Sequence, residues 1–187
     1  MEKGRCAEVL SRKTKVIVSV CVSIGIMIAI FLFSNQNSDD SSSLSEKVSF
    51  LIASIFVDGF ADMSAFDQQA WIDRLSWPVR KIAHATEFGC LAISLMVTCW
   101  QIHCQRDERL GHSTGLVQQL LIDWALAFTL SVAYACTDEI HQMFIDGRAG
   151  QISDVFVDAS GALIGSTLCA LIIYVHMRKR RLEQNYV

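Results

Sequence analysis

The sequence predicts an all-α membrane protein: four transmembrane helices, with an outer amphipathic helical segment between helices 1 and 2. Three observations carry this. Of 187 residues, 52% are hydrophobic, more than a soluble core of this size can hide. The apolar residues gather into four runs, 16–33, 82–100, 120–136 and 155–175, each near the length that crosses a bilayer. Ionisable residues are almost absent from those runs and crowd at their ends.

The first run follows a basic tail holding Lys3, Arg5, Arg12, Lys13 and Lys15. What comes after it is "FSNQNSDD" rather than a small-residue cleavage site, so it reads as an uncleaved helix and not a signal peptide. Between runs one and two, Val48, Leu51, Ile52 and Ile55 recur at helical spacing after the polar "DDSSSLS". Trp71, Ile72 and Leu75 suggest another short helix ending before Pro78. Both suit the outer headgroup region, or a helical cap over the bundle. The second run carries His84 and Glu87, the third has Asp123 near its start, and the fourth opens with Asp158 and closes against "HMRKRR".

Orientation follows from Lys and Arg. With the N-terminus inside, eleven of the sixteen lie in the N-terminal tail, the 101–118 loop and the C-terminal tail. Both termini are therefore expected in the cytoplasm of a multi-pass cell-membrane protein. Residues 1–15 form one cytoplasmic basic tail, 16–175 the membrane domain and 176–187 a second basic tail. Trp77 then falls at the outer interface, with Trp100 and Trp124 at the inner one. The seven cysteines form no CxxC pair and read as small apolar fillers.

On this topology the polar residues converge on the outer face. Arg80, Lys81, His84 and Glu87 stand at the outer end of helix 2, and Asp138, Glu139, His141 and Gln142 at that of helix 3. Arg148 lies in the short outer loop, and Asp154 and Asp158 open helix 4. Helical periodicity puts Arg80, His84 and Glu87 on one stripe and Asp138, His141 and Gln142 on another. Asp154 and Asp158 share a third with Gly161 and Gly165, a GxxxG pair that lets a neighbouring helix approach closely. Charges are costly against lipid, so the three stripes are expected to face one cavity.

Taken singly, these residues have structural explanations: snorkelling anchors, a hydrogen-bonded histidine, helix caps, a buried ion network. Their coincidence at one depth favours a functional site. Glu87, Asp138, Glu139, Asp154 and Asp158 outnumber Arg80, Lys81 and Arg148. The acidic excess predicts a protonated histidine or a bound divalent cation, with Glu87, Asp138, His141 and Asp158 as candidate ligands. The spacing does not choose among metal binding, acid–base chemistry and headgroup capture. "DEIH" is not H-E-x-x-H, no phosphate loop or nucleic-acid-binding face is present, and no catalytic residue is assigned.

"RKIAHATEFGCLA" at 80–92, "TDEIHQMFIDGRAGQISDVFVDASGALIG" at 137–165 and "FSNQNSDDSSSLS" at 33–45 together resemble the VanZ-like family of bacterial membrane proteins. The likeness extends over roughly Phe31 to Gly165 and carries onto the eleven polar residues named above, Arg80 to Asp158. Phe88 departs from it, standing where tyrosine is common, and Asp158 stands where asparagine is common. The resemblance implies an association with teicoplanin-type glycopeptide resistance. It implies as partners the lipid bilayer and an envelope lipid, lipid-linked precursor or glycopeptide ligand. The first functional reading is envelope protection or envelope lipid handling. The others are a small hydrolase or transferase on a lipid-linked substrate, with His84 and His141 as acid and base, and a helix bundle whose charges only pair helices.

Overall fold

A computed structural model gives the backbone of residues 2–36, 38–111, 114–145 and 150–185, and the side chains of 12–36, 43–111, 114–145 and 150–184. Five long helices follow in order: α1 (Glu2–Ser34), α2 (Ser38–Phe56), α3 (Ala65–Leu110), α4 (Leu116–Gln142) and α5 (Ile152–Asn185). A single 3-10 turn at Phe60–Asp62 joins α2 to α3. Four of the helices, α1, α3, α4 and α5, are long and apolar enough to cross a membrane. Each contains one of the four apolar runs.

The central element is α3, which packs against all four other helices. It begins where Ser64 accepts a hydrogen bond from the Asp67 N–H, and stops where Gly111 adopts a left-handed φ of 63°. The short helix expected to end at Pro78 is instead the first part of α3, with Pro78 inside it. Proline removes one backbone hydrogen bond and crowds the preceding turn, at a cost of about 3 kcal/mol or more. Packing on both sides offsets this. Before Pro78, Ile72 buries with Ala53 and Phe60, flanked by Trp71 and Leu75; after it, Phe88, Leu91 and Met96 are fully buried in the bundle.

At about 1.5 Å per residue a helix of 46 residues is roughly 70 Å long, over twice a bilayer's hydrocarbon thickness. The chain fills that length with α1 and α2 in succession. Along α1, Arg12 pairs with Glu108, Ser19 bonds Gln101 at 3.3 Å and Ser23 meets Thr98 at 3.4 Å. Farther up α3, Ser49 of α2 meets Ser76 at 3.4 Å.

The face of α2 that meets the protein is its small one. Ser45, Ser49 and Ala53, one turn apart, are buried, whereas Leu44, Val48, Leu51 and Ile55 are exposed. Small side chains let α2 lie close to α3, which leaves the apolar stripe outside. That stripe is solvated at a cost in water and is stable against lipid.

The closest helix pair is α3 with α5. A Cβ built on Gly161 would stand 1.9 Å from the Ala85 carbonyl oxygen, and one on Gly165 2.3 Å from that of Gly89. Glycine at both positions is therefore a condition of the approach. Beside this seam one apolar cluster holds Ile30, Phe88, Leu91 and Ala135, and farther along α3 a second holds Met96, Leu120, Ala127 and Cys169.

Candidate functional site

Three groups of polar contacts form where the end of α1, the end of α4 and the start of α5 meet the middle of α3. In the first, Asp138 is buried against α1. Its Oδ2 accepts from the Ser34 hydroxyl at 2.8 Å and from Gln142 Nε2 at 2.9 Å, and Gln142 also reaches Ser34 at 3.4 Å. Asp138 and Gln142 are one turn apart on α4, so both can address the single serine at the last turn of α1. His141 lies beside them with its ring stacked on Phe31, centroids 4.7 Å apart.

The second group ties the start of α5 to α3 and α4. Lys81 forms an ion pair with Asp154 and also lies 5.7 Å above the Trp77 ring. Taken alone, Lys81 reads as a headgroup anchor; in the fold it bridges two helices. Glu139 Oε2 accepts the Gln151 backbone N–H at 2.9 Å, fixing the chain just before α5 begins. Gly150 makes this possible, because a Cβ there would stand 2.6 Å from the Glu139 carbonyl oxygen.

At the centre is Asp158, 1% exposed. Glu139, Asp138, Asp154 and Glu87 are near enough to act on it electrostatically. Among the described residues its Oδ1 has no hydrogen-bond partner, and neither has His141 Nε2. A buried carboxylate oxygen without a partner costs several kcal/mol by order of magnitude, and native proteins rarely keep one without a reason.

The third group faces away from these acids. Arg80, His84 and Glu87 line a cleft of about 370 Å³ whose other walls come from α2 and the end of α1, with Phe33, Val48 and Ile52 among them. Glu87 Oε2 lies 3.7 Å from His84 Nδ1. Asp138, Glu139, Asp154 and Asp158 do not line this cleft, and nor does His141. The three stripes thus do not face one cavity: Glu139 lines a separate cleft of about 320 Å³ with Gln151 and Val155, apart from the one that Arg80, His84 and Glu87 line. Arg148 lies outside the described residues. Among those described, no three of His, Cys, Asp and Glu are arranged to hold a metal ion, so Glu87, Asp138, His141 and Asp158 do not form one ligand set.

Two features have no local signal in the sequence. Ser34 joins Asp138 across 104 positions, and a lone serine at a helix end carries no mark of that role. At the opposite end, the sequence leaves Asp123 alone, yet His103 Nδ1 stands 2.6 Å from its Oδ1 and Asp123 is fully buried. His103 falls in the segment read as an inner loop. It reaches Asp123 because α3 continues as a helix to Leu110.

Comparison with known proteins gives a family match. The family described as VanZ/LLP1 covers residues 19–174, which takes in α2, α3 and α4, the second half of α1, most of α5 and the three polar groups just described. No curated protein and no solved structure matches the chain.

Proposed function

Because the chain belongs to the VanZ/LLP1 family, we propose that this multi-pass membrane protein acts at the extracytoplasmic face of the cell envelope. Its task there is protection against teicoplanin-type glycopeptides. Both termini are cytoplasmic in this reading, which rests on the excess of Lys and Arg in the two tails and the 101–118 segment. The Ser34–Asp138–Gln142 network and Asp158 then sit at the outer ends of their helices.

One observation carries the functional reading over a purely structural one: Asp158 is buried in the helix bundle with its Oδ1 unpartnered among the described residues. Helices that only needed to pair in a bilayer would use close packing of small residues and hydrogen-bonded polar pairs, and a carboxylate oxygen left without a partner supplies neither. An unpartnered buried carboxylate is a poor glue. It suits a site that exchanges a proton or receives a polar ligand.

Expression of the chain in a susceptible Gram-positive host tests the proposal. The teicoplanin concentration that stops growth should rise above that of a vector control. An unchanged concentration, with the chain present in the membrane, would overturn it.

A further inference from the structure

Toward the end of the bundle opposite Asp138 and Asp158, a groove runs between α4 and α5. Val117, Leu121 and Trp124 of α4 line it with Thr167, Leu171 and Tyr174 of α5. Its volume of about 510 Å³ is within the range of small-molecule sites. Trp124 Nε1 donates to Thr167 Oγ1 at 3.1 Å, a bond that joins the two helices at the groove's deeper end. Val117, Leu121 and Leu171 are each more than half exposed, so the groove opens sideways onto the bilayer. An apolar chain can enter it from there.

One wall changes character at the helix end. On α5, Thr167, Leu171 and Tyr174 recur every three or four residues, and the same stripe next reaches Arg178 and Arg181. Both arginines are exposed, and among the described residues neither forms an ion pair. The apolar run ends at Val175, which puts the two guanidinium groups at headgroup depth, where basic side chains meet anionic lipid. Their planar forks match phosphate oxygens. An apolar trough that ends in two such forks has the layout of a phospholipid, chain first and phosphate after. A second copy of the chain fits the groove less well. Two copies of like orientation pair about an axis along the membrane normal, so the same arginines would meet at one depth and repel.

We propose that the α4–α5 groove holds one anionic phospholipid of the adjoining leaflet, a chain along Leu121 and Leu171 and its phosphate on Arg178 and Arg181. With both termini cytoplasmic this is the inner leaflet. The site is separate from the Asp138 and Asp158 groups and adds a lipid ligand at the other side of the membrane.

The test uses the full chain in nanodiscs of equal parts phosphatidylglycerol and an uncharged galactolipid with the same acyl chains. A photoreactive benzophenone side chain replaces Leu121 in the groove or, as a reference, Ile17, which is exposed on α1 near Lys13 and Lys15. Adducts are weighed by mass spectrometry. At Leu121, phosphatidylglycerol adducts should exceed galactolipid adducts by about tenfold, between the factors expected for one and two cations at an anionic surface. At Ile17, where attraction to the basic tail is diffuse, the excess should be clearly smaller. Changing Arg178→Gln together with Arg181→Gln should bring the Leu121 ratio down to that at Ile17. Lys179→Gln together with Arg180→Gln removes as many charges from other faces of α5 and should leave it high. Equal ratios at the two positions, equal effects of the two charge-matched pairs, or cross-linked dimers in place of lipid adducts at Leu121 would overturn the proposal. The comparison of positions needs no change at the arginines, so it stands even if those variants fold poorly. Nanodiscs report nothing on drug response, so failure here leaves envelope protection standing, and the converse holds.

Discussion

The α3–α5 seam makes Gly161→Ala an informative perturbation. The added Cβ would stand 1.9 Å from the Ala85 carbonyl oxygen, where ordinary contact begins near 3.4 Å. The two helices must therefore separate locally by about 1.5 Å, and the obstacle is backbone, which cannot rotate aside. Retreat on that scale forfeits a large part of the dispersion between packed surfaces, and overpacking of this kind costs about 1–3 kcal/mol, sometimes more. Helix propensity works in the opposite direction, favouring alanine by up to about 1 kcal/mol. Gly25 isolates that term, because nothing lies within 4 Å of a Cβ placed there. Titration of purified protein with sodium dodecyl sulfate, read by circular dichroism, should show Gly161→Ala clearly destabilised and Gly25→Ala unchanged or slightly stabilised. The Lys81–Asp154 pair should loosen as well, since Asp154 and Gly161 lie two turns apart on α5. Equal stability of the two variants would refute the close-approach argument.

Three further outcomes are expected. In a cysteine-free version, a cysteine at Asp58 should react with impermeant thiol reagents in whole cells, and one at Gln184 only after permeabilisation; reversed labelling would put the polar site on the inner face. His103→Ala strands the buried Asp123 and should cost about 3–5 kcal/mol in the same titration. In an Asp123→Asn background the same change should cost much less, and equal costs would mean that the pair contributes nothing as a pair. Tyr134→Phe removes the hydroxyl that donates to the Met27 carbonyl at 2.7 Å; a loss of about 0.5–1.5 kcal/mol is expected, and none at all would show the bond to be idle.

What the sequence made legible was what depends on period and length. Apolar runs near twenty residues mark the helices that can cross a membrane, and the four-residue spacing of Gly161 and Gly165 marks a close helix contact. The crowding of acids at one end of runs two, three and four is legible too, because it follows from where those runs begin and stop. The continuity of α3 was not, since the local rule at Pro78 favours a break and only the burial of Ile72 against Ala53 and Phe60 outweighs it. The inner His103–Asp123 pair was hidden for a related reason: the apolar run stops at Trp100, while the helix continues to Leu110. For α2 the period was right and the buried side was not determined. A small-residue face against α3 and an apolar face outward give the same spacing as the reverse. Nor does periodicity divide one stripe from another, and so Arg80, His84 and Glu87 line a cleft that the acids of α4 and α5 do not share.

The central claim is that the buried polar groups at this end of the helices act rather than merely hold. Asp138→Asn tests it most directly, because the amide keeps a carbonyl oxygen for Ser34 and Gln142 while removing the charge. The measurement is the teicoplanin concentration that stops growth, normalised to folded protein in the membrane and read beside the detergent melting curve. The account predicts wild-type abundance and melting with the protective effect lost. Retained protection, or loss of folded protein in step with loss of protection, would contradict it.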